Sequence, residues 1–110
     1  MQTRLLGGPT GGNGSPRVWA TDQGSDLIQG WPTNEPGRIE IPHQLLGYLE
    51  LGTFLRAELH DTGRGTFTLI GRPVTDPDVL ATMAIPAHET AIEVDVEKAS
   101  YPHALSAQVR

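Results

Sequence analysis

The sequence predicts an α+β domain, mostly antiparallel β-sheet or a small barrel, with two short helices. Three observations point there. Apolar residues alternate in short runs bounded by Gly, Pro, Asn and Asp; two aliphatic stretches each open on a proline; and one stretch of chain echoes another. In chain order, residues 1–15 contain GGPTGGNGS, whose few large side chains do not offset the entropy of ordering, so a flexible lead is expected. The domain itself is expected over 16–98, and 99–110, interrupted by Pro102, as a loose tail or docking strand. Within the domain, Arg17–Ala20 and Asp26–Trp31 flank TDQGS and read as a hairpin. Arg38–Ile41 is a short strand, after which Pro42 suits a first helical position and Leu45, Leu46 and Leu49 share one helical face. Thr53–His60 alternates as a single strand and pairs across DTGRG with Thr66–Arg72. Asp76 reads as an N-cap with Pro77 in the first turn, and Val79, Leu80 and Met83 point inward. Glu89–Val96 closes the domain as an alternating strand.

The echo pairs DQGSDLIQGWPT (22–33) with DTGRGTFTLIGRPVT (61–75), and IEIPHQLL (39–46) with IEVDVEKA (92–99). It is compatible with duplication of a ββαβ-like unit and equally with chance matching in a chain rich in Gly, Thr and Asp.

Composition excludes more than it selects. With no cysteine, the 110 residues contain no disulfide, thiol nucleophile, zinc finger or iron–sulfur ligand set. Thirteen acidic residues against eight basic ones give a net charge of −5, which disfavours nucleic acid and anionic membrane as partners. No apolar run is long enough to span a bilayer and no signal-like stretch opens the chain, so a cytoplasmic location is expected. No Gly-x-Ser-x-Gly elbow and no phosphate loop with its lysine occurs. Glu40, Glu58, Glu93 and Asp95 could supply paired carboxylates, but Glu40 and Glu93 lie on alternating strands where an outward polar face explains them. A metal site could draw on His60, Asp61, His88 and Glu89, but a solvated turn entry at His60-Asp61 and a solvated strand entry at His88-Glu89 explain these residues better. No catalytic residue, metal ligand or cofactor is therefore predicted.

Arginine and tryptophan carry more. Arg38, Arg56, Arg64 and Arg72 fall on strands or in the central hairpin turn, and Trp31 occupies in Gly-Trp-Pro the place that Arg72 takes in Gly-Arg-Pro. Both residue types are enriched among binding hot spots. With His43, these form the candidate partner- or nucleic-acid-binding set: Trp31, Arg38, His43, Arg56, Arg64 and Arg72. Of Trp19 and Trp31, one is expected in the core and one at the surface.

Two resemblances attach to particular residues. GRIEIPHQLLGYLELGTFLRAEL resembles the AbrB and MazE type of swapped-hairpin DNA-binding domain through Gly37, Arg38, Ile39, Ile41, Pro42, Leu45, Gly52 and Leu55. That resemblance implies an interlaced homodimer in which Arg38 contacts DNA. The sequence departs from the pattern at Leu46, where the family carries arginine, at Thr53, where it carries aspartate, and at Glu40, which sets a negative charge beside Arg38. VWATDQGSDLIQGW and HDTGRGTFTLIGRPVTDPDVLATMAIPAHETAIEV are similar to a group of small actinobacterial proteins without an assigned activity. This second resemblance implies association with helix-turn-helix regulators and carries over no catalytic residue. The expectation is a homodimeric, non-enzymatic regulatory or protein-interaction module, companion of a transcriptional regulator. An AbrB-like DNA-binding regulator and a small metal-dependent hydrolase are the alternatives.

Overall fold

The structure, a computed structural model, describes residues 1–9 and 15–99. The parts of the expected lead and tail at 10–14 and 100–110 lie outside the described residues. Among the described residues nine strands form the sheet: β1 Thr3–Gly7, β2 Val18–Thr21, β3 Ser25–Pro32, β4 Arg38–Pro42, β5 Thr53–Leu55, β6 His60–Asp61, β7 Thr66–Ile70, β8 Arg72–Pro73 and β9 Thr90–Lys98. A 3-10 helix at His43–Tyr48 and helix α1 at Pro77–Met83 complete the elements. Strands hold 46% of the described residues and helices 14%, so the domain is mostly β rather than α+β. The sheet runs β1-β2-β3-β4-β7-β6, with β9 pairing β3, β5 and β8, and it does not close into a barrel.

Three local expectations are corrected. The amino-terminal residues are not all a lead, because Thr3–Gly7 pairs antiparallel with β2 and tucks Leu6 against the core. Thr53–His60 is not one strand. Its first part pairs β9 and its last residue pairs β7, so the chain changes neighbour midway while the alternation of Leu55, Ala57 and Leu59 toward the core continues. The segment after Pro42 is a 3-10 helix, closed by Leu49 N donating to Leu46 O at 3.4 Å, with Leu45 buried as the periodicity predicts.

The echo has a structural counterpart. At a constant offset, Thr21, Gly24, Gly30 and Pro32 correspond to Thr62, Gly65, Gly71 and Pro73. Both turns are built alike: Thr21 Oγ1 meets Ser25 Oγ at 2.7 Å, and Thr62 Oγ1 meets Thr66 Oγ1 at 2.6 Å. Gly24 and Gly65 both take positive φ, 74° and 83°, where a side chain would be strained. The registers correspond too. Trp31 faces Glu40 and Pro32 faces Ile39, as Arg72 faces Glu93 and Pro73 faces Ile92. The two units exchange their final strands: β9 lies on β3 (Ile28↔Ile92) and β4 lies on β7 (Leu69↔Ile39).

Gly30 and Gly71 make the exchange sterically feasible. A Cβ on Gly30 would stand 2.6 Å from Glu40 O, and one on Gly71 would stand 2.8 Å from Glu93 O, so only glycine lets the strands cross this closely. Between the interlaced strands lies the main core of Val18, Ile28, Ile39, Ile41, Leu45, Leu55, Leu69, Ile92 and Val94. A second cluster lies under α1, where Val79 and Met83 pack on Trp19, Leu27 and Ala91. Asp76 starts that helix as the sequence predicts, accepting from Asp78 N at 2.9 Å, and Ala84 ends it in the left-handed conformation. Among the described residues no helix is long and apolar enough to cross a membrane.

Candidate interaction surface

The corresponding flanks of the two units are finished differently. On the β2-β3-β9 flank, the outward residues Trp19, Leu27 and Ala91 are apolar and covered by α1. At the corresponding places on the β6-β7-β4 flank stand His60, Thr68 and Arg38, and no described element covers them. The cause lies in the connections. Between Pro73 and β9 the chain inserts α1, whereas between Pro32 and β4 it has only Thr33–Gly37, too short for a helix. The bare flank carries a shallow depression of about 170 Å³ lined by Arg38, Glu58, His60 and Ile70. Ile70 is 49% exposed there, opposite Arg38 and next to buried Leu69.

Three of the six residues picked from sequence, Trp31, Arg38 and Arg64, belong to this flank. Trp31 is half-buried opposite Glu40. Arg38 pairs Glu35 and donates from Nη1 to Thr68 Oγ1 at 3.3 Å. Arg64 donates from Nη2 to both Glu40 oxygens at 3.3 Å, and Thr66 Oγ1 donates to Glu40 Oε2 at 2.6 Å. His43 lies instead on the core-facing side of β7, its ring 4.1 Å from that of Phe67 and its Nε2 3.4 Å from Asp61. Arg56 and Arg72 stand apart, at β9. Arg56 pairs Glu97 at 3.7 Å, and Arg72 pairs Asp95 at 2.8 Å and Glu93 at 3.6 Å. The hydrogen bond from Arg72 holds the Asp95 carboxyl below the usual carboxylate range, and the same bond raises Arg72 above its own. The six residues therefore do not form one cationic face, and each of the four arginines already has a carboxylate.

Several other polar groups are paired within the chain. Glu93 accepts from Ser25 Oγ at 2.6 Å, matching the Glu40–Thr66 contact of the other unit. His60 pairs Glu58 at 3.1 Å and His88 pairs Glu89 at 3.3 Å, so the His60, Asp61 and His88 set does not assemble. No group of three metal-ligating side chains occurs among the described residues. Arg17, read as a strand opener, is instead buried: Nη2 donates to Met83 O at 3.0 Å, satisfying the end of α1, and its guanidinium lies over Trp19. Trp19 is the core tryptophan. Sequence reasoning missed Thr68 and Ile70 as surface-forming residues, because an alternating strand conceals which face another element will cover. Comparison with protein-family models, with curated proteins and with solved structures finds no match to this chain.

Proposed function

We propose that the protein is a non-enzymatic protein-interaction module whose binding surface is the bare β6-β7-β4 flank. One observation carries the reading: the corresponding flank of the other unit is sealed by the chain's own helix, whereas this one leaves Ile70, His60 and Arg38 in contact with solvent. A mixed surface of one aliphatic, paired charges and a nearby half-buried tryptophan suits a polar, water-tolerant protein contact. The depression is too small for a drug-sized ligand, for which pockets run to several hundred Å³. DNA binding is less favoured. Phosphate neutralisation needs cations free to release counterions, and Arg38, Arg56, Arg64 and Arg72 are each engaged by carboxylates on a chain of net charge −5. A regulator protein as partner agrees with these features.

The test is site-specific photocrosslinking in the producing cell, with the photoreactive residue placed at Ile70 or, as control, at exposed Thr82 on α1. The reading expects a discrete adduct of constant mass at position 70 and none at 82. Equal labelling at the two positions, or no adduct at 70, would refute it.

A further inference from the structure

Resting on that reading, we infer that the partner docks by strand addition: an extended segment with a basic and an aliphatic residue in sequence pairs with the free outer edge of β6. The chain supplies its own template. β2, the counterpart of β6, is not an edge, because β1 adds to it antiparallel with Arg4 opposite Ala20 and Leu5 opposite Trp19. The corresponding positions on β6 are Asp61 and His60, and among the described residues the sheet ends there. The stretch of chain that would correspond to β1 is spent on the 3-10 helix, where Leu45 fills the main core, so no strand among the described residues lies beside β6 on that side.

Backbone polarity fits an incoming strand. Thr62 N donates to Thr66 O at 3.0 Å, so hydrogen bonds on alternate residues direct the Asp61 N–H to the opposite, unpaired edge. Side-chain chemistry specifies the segment. Asp61 and Glu58 are exposed acids on this edge, and in the template β1 brings Arg4, which pairs Glu50 at 3.0 Å. A basic residue of the segment would therefore meet Asp61, and the aliphatic next to it, in the place of Leu5, would lie by His60 over the Arg38–Ile70 depression. Main-chain pairing supplies affinity and these two side chains supply choice.

The probe is a fluorescent peptide with the sequence of residues 1–9, MQTRLLGGP, titrated into the full chain and read by anisotropy. Saturable binding is expected, weakened by about tenfold or more in Asp61→Pro. This variant removes the outward N–H at an edge position where proline is tolerated. Asp61→Lys, which keeps the N–H and reverses the charge, should weaken the peptide less than proline does. Both variants are checked for native circular dichroism, and slowed hydrogen exchange at the Asp61 amide on peptide addition reports the edge directly. Absence of binding up to about 1 mM overturns strand addition. So does binding that Asp61→Pro leaves unchanged, since the peptide would then be replacing β1 on β2. Self-association of the chain that disappears in Asp61→Pro would overturn the assignment to another protein in favour of a second copy. An adduct at position 70 that persists undiminished in Asp61→Pro leaves the interaction reading standing and removes only the strand mode.

Discussion

Asp26 is 2% exposed on β3, and its Oδ2 has no hydrogen-bond partner. Burial first and the charge of Glu50 second, opposed by Arg4, together raise its pKa to about 6. The folded chain therefore holds this proton more tightly than the unfolded chain, whose carboxyl keeps its ordinary value of 3.8. The stabilisation is complete below about 4 and is lost as pH rises through about 6, a change of up to about 3 kcal/mol. Denaturant unfolding of wild type and Asp26→Asn between pH 4 and 7.5 measures it: the variant should lack most of the decline. Identical pH profiles would mean that water reaches this carboxylate. A second residue-scale expectation concerns Asp76, whose Oδ1 accepts from Asp78 N and Val79 N. Asp76→Ala should cost about 1 kcal/mol in the same assay. A cost near zero would mean that solvent replaces the cap.

At the scale of elements, the Gly-x-Pro bends are the test of the interlaced pairing. Gly30 and Gly71 carry no positive φ, so replacing them strains no dihedral; the added methyl would instead meet the carbonyls of Glu40 and Glu93, which the pairing fixes. Gly30→Ala and Gly71→Ala should each destabilise by about 1–3 kcal/mol. Gly47→Ala, where a Cβ meets nothing within 4 Å, should be neutral or mildly stabilising. Similar melting temperatures for all three would contradict the close crossing. The elements also show where periodicity stops being informative. Leu45, Leu46 and Leu49 define an inward face that both 3-10 and α geometry satisfy, so burial was legible and helix type was not. Thr53–His60 kept its inward and outward faces correctly, yet alternation is a local property and the exchange of β9 for β7 as neighbour is not.

For the whole molecule, β3 and β9 each contribute to both hydrophobic clusters, Ile28 and Ile92 to one and Leu27 and Ala91 to the other. Neither cluster can open without the strands that support its neighbour. Leu45→Ala and Met83→Ala, one from each cluster, should each cost about 2–5 kcal/mol. Both variants should still unfold in one transition that coincides by tryptophan fluorescence and far-ultraviolet circular dichroism. Separate transitions in Met83→Ala would identify α1 and its cluster as an independent layer.

What the sequence determined by itself was local: turn positions from Gly and Asp, inward faces from alternation, the α1 start from Asp76-Pro77, and the chemistry that no cysteine permits. The echo was legible as well, down to Trp31 and Arg72 holding one place in two Gly-x-Pro bends. Only the tertiary structure decided that the units exchange strands, that each candidate arginine is met by a carboxylate, and that one flank is roofed while its counterpart is bare. These depend on which residues distant in sequence come within a few ångströms, and on the unequal lengths of the two connections that follow Pro32 and Pro73. Sequence period fixes the direction of a side chain, but whether anything stands over it is settled by packing between elements.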